Sequence, residues 1–173
     1  MSVPRREPKH PQSCHDRALG LLAVRARSRR ELERRLLQAG FDPQEVADVL
    51  VRLEGVGLID DRAFAQQVAE HAFGVKRSGR RAVASALAAK GVPRDVIEEV
   101  IAGTAGDDEA RVVELARARA SRLRSVEPAT AFARLVSLLV RRGYSPDTAR
   151  TAARWALELD AEDPSLASRS PGP

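Results

Sequence analysis

Apolar positions along the middle of the chain recur with the period of an α-helix. In "PQEVADVLVRLE", Val46, Val49, Leu50 and Leu53 fall at i, i+3, i+4 and i+7, one stripe of a helix whose remaining faces are polar. No run alternates β-branched and aromatic residues as a half-buried strand would, so the chain is predicted to be all-α. Helix ends are marked as clearly as helix faces. Asp42 stands where it can cap free backbone N–H groups, Pro43 suits a first turn, and Glu45 sits where a capping box needs it. Ser28 with Glu31 repeats that logic one helix earlier, and Gly40 can take the left-handed conformation that ends the intervening helix.

The same turn occurs three times, in "LLQAGFDPQEV", "LAAKGVPRDVI" and "LVRRGYSPDTA". Gly40, Gly91 and Gly143 are separated by 51 and then 52 residues. Leu36, Leu87 or Leu139 stands four residues before each glycine, and Pro43, Pro93 or Pro146 follows two or three after it. Self-similarity at a fixed period, with helical patterning on both sides, marks tandem repeats. Working outward predicts helices over 15–26, 28–39 and 43–54, then 60–73, 78–89 and 93–102, then 107–122, 128–142 and 146–159. These make three-helix repeats at 14–56, 57–104 and 105–160. No single helix buries enough to hold itself, so the repeats are expected to stack into an elongated, curved rod. The Pro-containing ends, 1–13 and 161–173, are expected to be disordered tails.

Composition narrows the picture. Hydrophobic residues make up 43% of the chain but aromatics only 3%, so the core must be built from Leu, Val, Ile and Ala. A single cysteine excludes an internal disulfide and fits a reducing cytoplasm. The chain has neither a run of about 18 apolar residues nor an apolar leader-like start, so a membrane partner is not expected. A cytoplasmic monomer is the simplest expectation.

Catalytic patterns are missing: no Walker A loop, GxSxG elbow or HExxH occurs. Cys14 and His15 are adjacent, which points their side chains apart on a helix, and no second pair stands at finger spacing. Asp60 with Asp61, and Asp107, Asp108 and Glu109, each open a predicted helix, where carboxylates cap N–H groups and oppose the helix dipole. No enzyme activity, metal or cofactor is therefore expected.

Charge is what remains. The net charge is +5, and all but three of the 29 basic residues are Arg, which suits bidentate contact with carboxylate or phosphate, although a biased genome produces the same skew. From Arg17 to Leu36 there are seven Arg against Glu31 and Glu33; from Lys76 to Arg94 there are six basic residues and no acid; residues 95–109 then hold six acids and no base. Arg111–Arg124 and Arg134–Arg154 are basic again, before Glu158, Asp160, Glu162 and Asp163. Such blocks serve as solvated faces, or, recurring with the repeat, as a basic strip for an extended acidic partner or a phosphate backbone. The shortage of aromatics argues against base stacking on single strands.

"LLAVRARSRRELERRLLQAGFDPQEVADVLVRLEGVGLIDDRAFA", "KRSGRRAVASALAAKGVPRDVIEEVI" and "ARLVSLLVRRGYSPDTA" together resemble RecX, a family of bacterial regulators of the recombinase RecA, over about residues 15–159. The third segment is the loosest part of the match. The resemblance implies three tandem three-helix repeats without an active site or cofactor. It also implies a protein that lies in the groove of the RecA filament on single-stranded DNA, suppresses its ATPase and strand exchange, and in some members binds DNA directly. Carried over by motif, the implied contacts with RecA or DNA phosphate are Arg25, Arg29, Lys76, Arg77, Arg80, Lys90, Arg141 and Arg142. A different reading is a sequence-independent DNA-binding bundle with a helix-turn-helix at Gly40, but the helix after that turn is acidic, the wrong sign for entering a groove.

Overall fold

The computed structural model describes residues 12–104 and 108–162, with side chains described as far as residue 157. Asp107 and most of both expected tails lie outside the described residues. Among the described residues there are nine α-helices and no strand: α1 (Cys14–Val24), α2 (Arg29–Gln38), α3 (Pro43–Gly55), α4 (Asp61–Gly74), α5 (Arg80–Ala89), α6 (Arg94–Thr104), α7 (Asp108–Ala120), α8 (Pro128–Arg141) and α9 (Pro146–Glu162). The chain is all-α, in tandem three-helix groups. Helix ends fall within three residues of those read from the sequence. α1 stops early because Arg25 is extended, at φ −167° and ψ 158°, and α7 tightens into a 3₁₀ turn over Ser121–Leu123.

The repeated turn has one geometry. Gly40, Gly91 and Gly143 have φ of 92°, 79° and 90°, the left-handed region that a Cβ disfavours. The amide of each glycine donates to the carbonyl three residues back, at 2.9, 2.8 and 2.9 Å. The next residue, Phe41, Val92 or Tyr144, donates to Leu36, Leu87 or Leu139 at 3.3, 3.2 and 3.3 Å. This is the Schellman closure, and its customary hydrophobic pair is present each time, because all six of those side chains are buried.

Two capping expectations need correction. Ser28 does cap α2, its Oγ accepting the Glu31 amide at 3.1 Å, but the Glu31 carboxylate does not close a capping box. It is buried and accepts from Arg25, Arg27 and Arg35 instead. Asp60 caps its own helix through the Ala63 amide at 2.9 Å. Its neighbour Asp61 accepts the Arg29 amide at 2.8 Å, and so caps α2 rather than α4.

The described residues form two compact units, one of those up to Gln67 together with Leu87–Val100, the other of Val68–Ala86 together with the described residues from Ile101. The divisions fall inside α4, α5 and α6. In the first unit, Cys14, Ala18, Leu32, Leu36, Phe41, Val46, Leu50 and Leu53 belong to a core of α1–α3. The apolar stripe of α3 is buried as its spacing requires. Here the Ser28 hydroxyl donates to the Lys90 carbonyl, and a Cβ on Gly91 would lie 2.7 Å from that of Arg30. The start of α2 therefore sits on the α5–α6 turn.

In the second unit, α7–α9 close over Val112, Leu115, Ala116, Leu135, Leu139, Tyr144, Ala149 and Ala153. Small residues on α9 let the helices approach closely. The start of α5 sits on the α8–α9 turn: the Gly79 amide donates to the Arg142 carbonyl at 2.7 Å, and a Cβ on Gly79 would lie 2.5 Å from the Gly143 backbone. Gly79 thus stands where Ser28 stands in the first unit, one repeat on, and the residue before the turn glycine accepts in both.

Candidate functional site

The eight basic residues singled out from the sequence divide between the units. In the first, Arg25 makes a bidentate contact with Glu31, at 2.5 and 3.1 Å. Arg27, itself buried, reaches the same carboxylate at 2.6 Å and donates through Nε to the Leu21 carbonyl at 3.0 Å. Burial works to raise the pKa of Glu31, but the hydrogen bonds from Arg25, Arg27 and Arg35 and the charge of Arg25 together hold it below the usual carboxylate range. Arg25 is therefore part of a network that joins the end of α1 to α2. Arg29 pairs with Glu54 at 2.9 Å, and the Lys90 ammonium lies 5.8 Å from the centre of the Phe64 ring.

In the second unit, the segment after α4 is tied to the α8–α9 turn through its backbone. The Lys76 carbonyl accepts from the Arg142 guanidinium at 2.6 Å, and the Arg77 carbonyl accepts the Tyr144 hydroxyl at 2.9 Å. Burial pushes the Tyr144 phenol up, so it stays a donor at neutral pH. Arg77 has φ 49°, a conformation costing a non-glycine residue about 1 kcal/mol that its surroundings must sustain. Its guanidinium pairs with Glu114 at 3.3 Å, and that of Arg80 with Asp108 at 3.4 Å.

The candidates thus differ in what their charged heads do. Arg25, Arg29, Arg77, Arg80 and Arg142 make internal contacts. Lys76 and Arg141 are exposed and carry no ion pair among the described residues. The same holds for Arg30, Arg34, Arg81, Arg122 and Arg134, which the motif match passed over. They belong to the basic blocks of the sequence, where block membership is visible but the pairing of each head is not.

Among the described residues no group of three His, Cys, Asp or Glu side chains is placed to hold a metal, and no helix is long and apolar enough to cross a membrane. Cys14 is buried while His15 is exposed, so the two do not converge on one ion.

Two family models match the chain: the first three-helix domain of RecX over residues 14–53 and the second over 60–101. Among curated proteins, "Regulatory protein RecX" of Mycobacterium avium is 40% identical over 145 residues, covering 83% of this chain and 84% of the relative. That of Chlorobaculum tepidum is 34% identical over 145 residues, covering 84% and 89%. The fold is similar to the crystal structure of RecX from Lactobacillus salivarius, with a TM-score of 0.73 at 21% identity over 84% of this chain and 95% of that one. A second crystal structure of a regulatory protein RecX gives 0.70 at 19% identity, over 84% and 70%.

Proposed function

The chain belongs to the RecX family of regulatory proteins, and from this premise we propose that it is a non-enzymatic regulator of the RecA filament. In this reading it docks on RecA assembled along single-stranded DNA in the cytoplasm, acts as a monomer, and restrains ATP hydrolysis, strand exchange and the coprotease activity that sets off the SOS response. Its three repeats, taken as 14–56, 57–104 and 105–160, each supply part of the contact. Family membership is the observation that carries the proposal. The physics agrees with it: modest contacts spread over neighbouring protomers give avidity for the assembled filament over free RecA.

Within this reading, the pairing of the charged heads favours some candidates over others. Lys76 and Arg141 have exposed, unpaired heads among the described residues, so they can form charge-assisted hydrogen bonds with RecA carboxylates or DNA phosphates without breaking an internal pair. Arg25 and Arg29 act first as ties within the first repeat, and Arg77, Arg80 and Arg142 as ties between the second and the third.

The test is RecA's DNA-dependent ATP hydrolysis with this protein added well below one copy per RecA. Inhibition at that ratio is expected. Undiminished hydrolysis together with direct DNA binding would replace the proposal with a sequence-independent DNA-binding helical protein.

A further inference from the structure

The end of α7, the 3₁₀ turn that follows it and the outer side of α8 line an open groove of about 830 Å³, within the size range of ligand clefts. Its floor is apolar, with half-buried Leu123 and Leu138. Ala129 and Ala133, at i and i+4 on α8, keep the wall low enough for another backbone to approach. Arg119 and Arg122 stand on one side, Arg134 and Arg141 on the other, and among the described residues no acidic side chain lines the groove. None of these four arginines has an ion pair among the described residues, whereas Arg77, Arg80 and Arg111 of the same unit are all paired.

We propose that this groove binds an acidic amphipathic helix of a partner protein. The apolar side chains of that helix lie on Leu123 and Leu138, and carboxylates on its flanks pair with the two arginine walls. Arg134 and Arg141 are seven residues, two helical turns, apart on α8, a rise of about 10 Å. A helix lying alongside presents acids at matching height when they too are spaced i, i+7. Helix-in-groove recognition uses this combination of an apolar seam and charged margins. Nucleic acid fits less well, because a phosphate backbone leaves the leucine floor uncovered and, among the described residues, the groove offers no aromatic platform for a base. The inference deepens the regulatory reading and rests on it only in assigning the helix to the regulated partner.

The test uses the full chain and a fluorescein-labelled synthetic peptide of about 18 residues, long enough to hold a helix when seated, with Leu at i, i+4 and i+7 and Glu on both flanks. Fluorescence anisotropy is expected to show binding in the micromolar range. Binding should be at least tenfold weaker for a scrambled peptide of the same composition, for Arg134→Gln/Arg141→Gln, and for Leu138→Asp. Equal binding of the scrambled peptide, indifference to all three substitutions, or preference for a charge-matched single-stranded oligonucleotide over the peptide would overturn the proposal. RecA ATP hydrolysis is measured separately, so loss of filament inhibition with the peptide still bound fails the functional reading alone, and the converse fails only the groove.

Discussion

Ser28 donates its hydroxyl hydrogen to the carbonyl of Lys90, and the same oxygen accepts the Glu31 amide. One buried side chain therefore both caps α2 and fixes it to the turn of the following repeat. One repeat on, the Gly79 amide makes the equivalent link to Arg142. Replacing Ser28 with Ala removes the cap and leaves a carbonyl short of a partner. The expected cost is about 2 kcal/mol, one part from the cap and one from the hydrogen bond. Urea unfolding should show a lower midpoint at an unchanged slope.

Glycines make the sharpest contrast. A Cβ on Gly143 would lie 2.4 Å from the Ala82 amide nitrogen, at φ 90°, so Gly143→Ala should destabilise the protein by more than about 2 kcal/mol through backbone strain and a clash with no flexible partner. Gly20 lies within helix α1, and a Cβ added there would meet nothing within 4 Å. Gly20→Ala should stabilise by about 0.5–1 kcal/mol. The two variants should move the thermal midpoint in opposite directions.

The turn spacing and the apolar stripes make the helices legible because both are local: a left-handed glycine and a buried leucine four residues before it act within one turn. Helix α3 is readable to its last apolar position for that reason. What local pattern does not carry is the partner of a charged group. Glu31 has the spacing of half a capping box, yet Arg27, buried beside it, recruits the carboxylate, and nothing in the spacing of Ser28 and Glu31 reveals a third residue's demand. Asp61 likewise reads as the cap of the helix it opens, but its acceptor role is decided by the approach of Arg29 from another helix. The candidate site is legible as blocks of charge, not as individual free heads, because whether Arg80 or Arg81 is paired depends on where Asp108 lies.

Cys14 is buried, and burial, reinforced by the nearby charge of Glu45, pushes its thiol up to about 11. Thiolate is then scarce at neutral pH and the sulfur is shielded. Under native conditions at pH 8 the thiol should resist an aromatic disulfide reagent for as long as the protein stays folded, and react fully once urea unfolds it. Fast native labelling would contradict the packing of α1.

Charge reversal separates contact from scaffold. Lys76 and Arg81 are exposed and have no ion pair among the described residues, so Lys76→Glu/Arg81→Glu should leave the unfolding curve in place while weakening the proposed inhibition of RecA about tenfold, or roughly 1.4 kcal/mol of binding. Reversing Arg77 and Arg80 instead sets acids against Glu114 and Asp108 and should lower stability as well. Unfolding and inhibition are measured on the same preparations. If the first pair changed neither, that face would be solvated surface only.

The Glu31 network sets an acid limit. Its carboxylate has a folded pKa held below the unfolded value, so its stabilisation is present above the unfolded pKa, about 4.3, and disappears as pH falls through the folded one. Protonation would leave the buried Arg27 guanidinium without its counter-charge. Asp61 runs the other way: burial outweighs the Arg29 amide hydrogen bond and holds its pKa up, so protonating it on acidification gives back some stability. Removing one partner of a buried pair costs about 3 kcal/mol or more, and Glu31→Gln should show a loss of that size at pH 7. Below about pH 4 the gap between Glu31→Gln and the parent should narrow, since the parent then loses the same charge. Stability measured by urea unfolding from pH 7 to pH 3 tests this: a gap independent of pH would mean that Glu31 contributes through packing rather than through its charge.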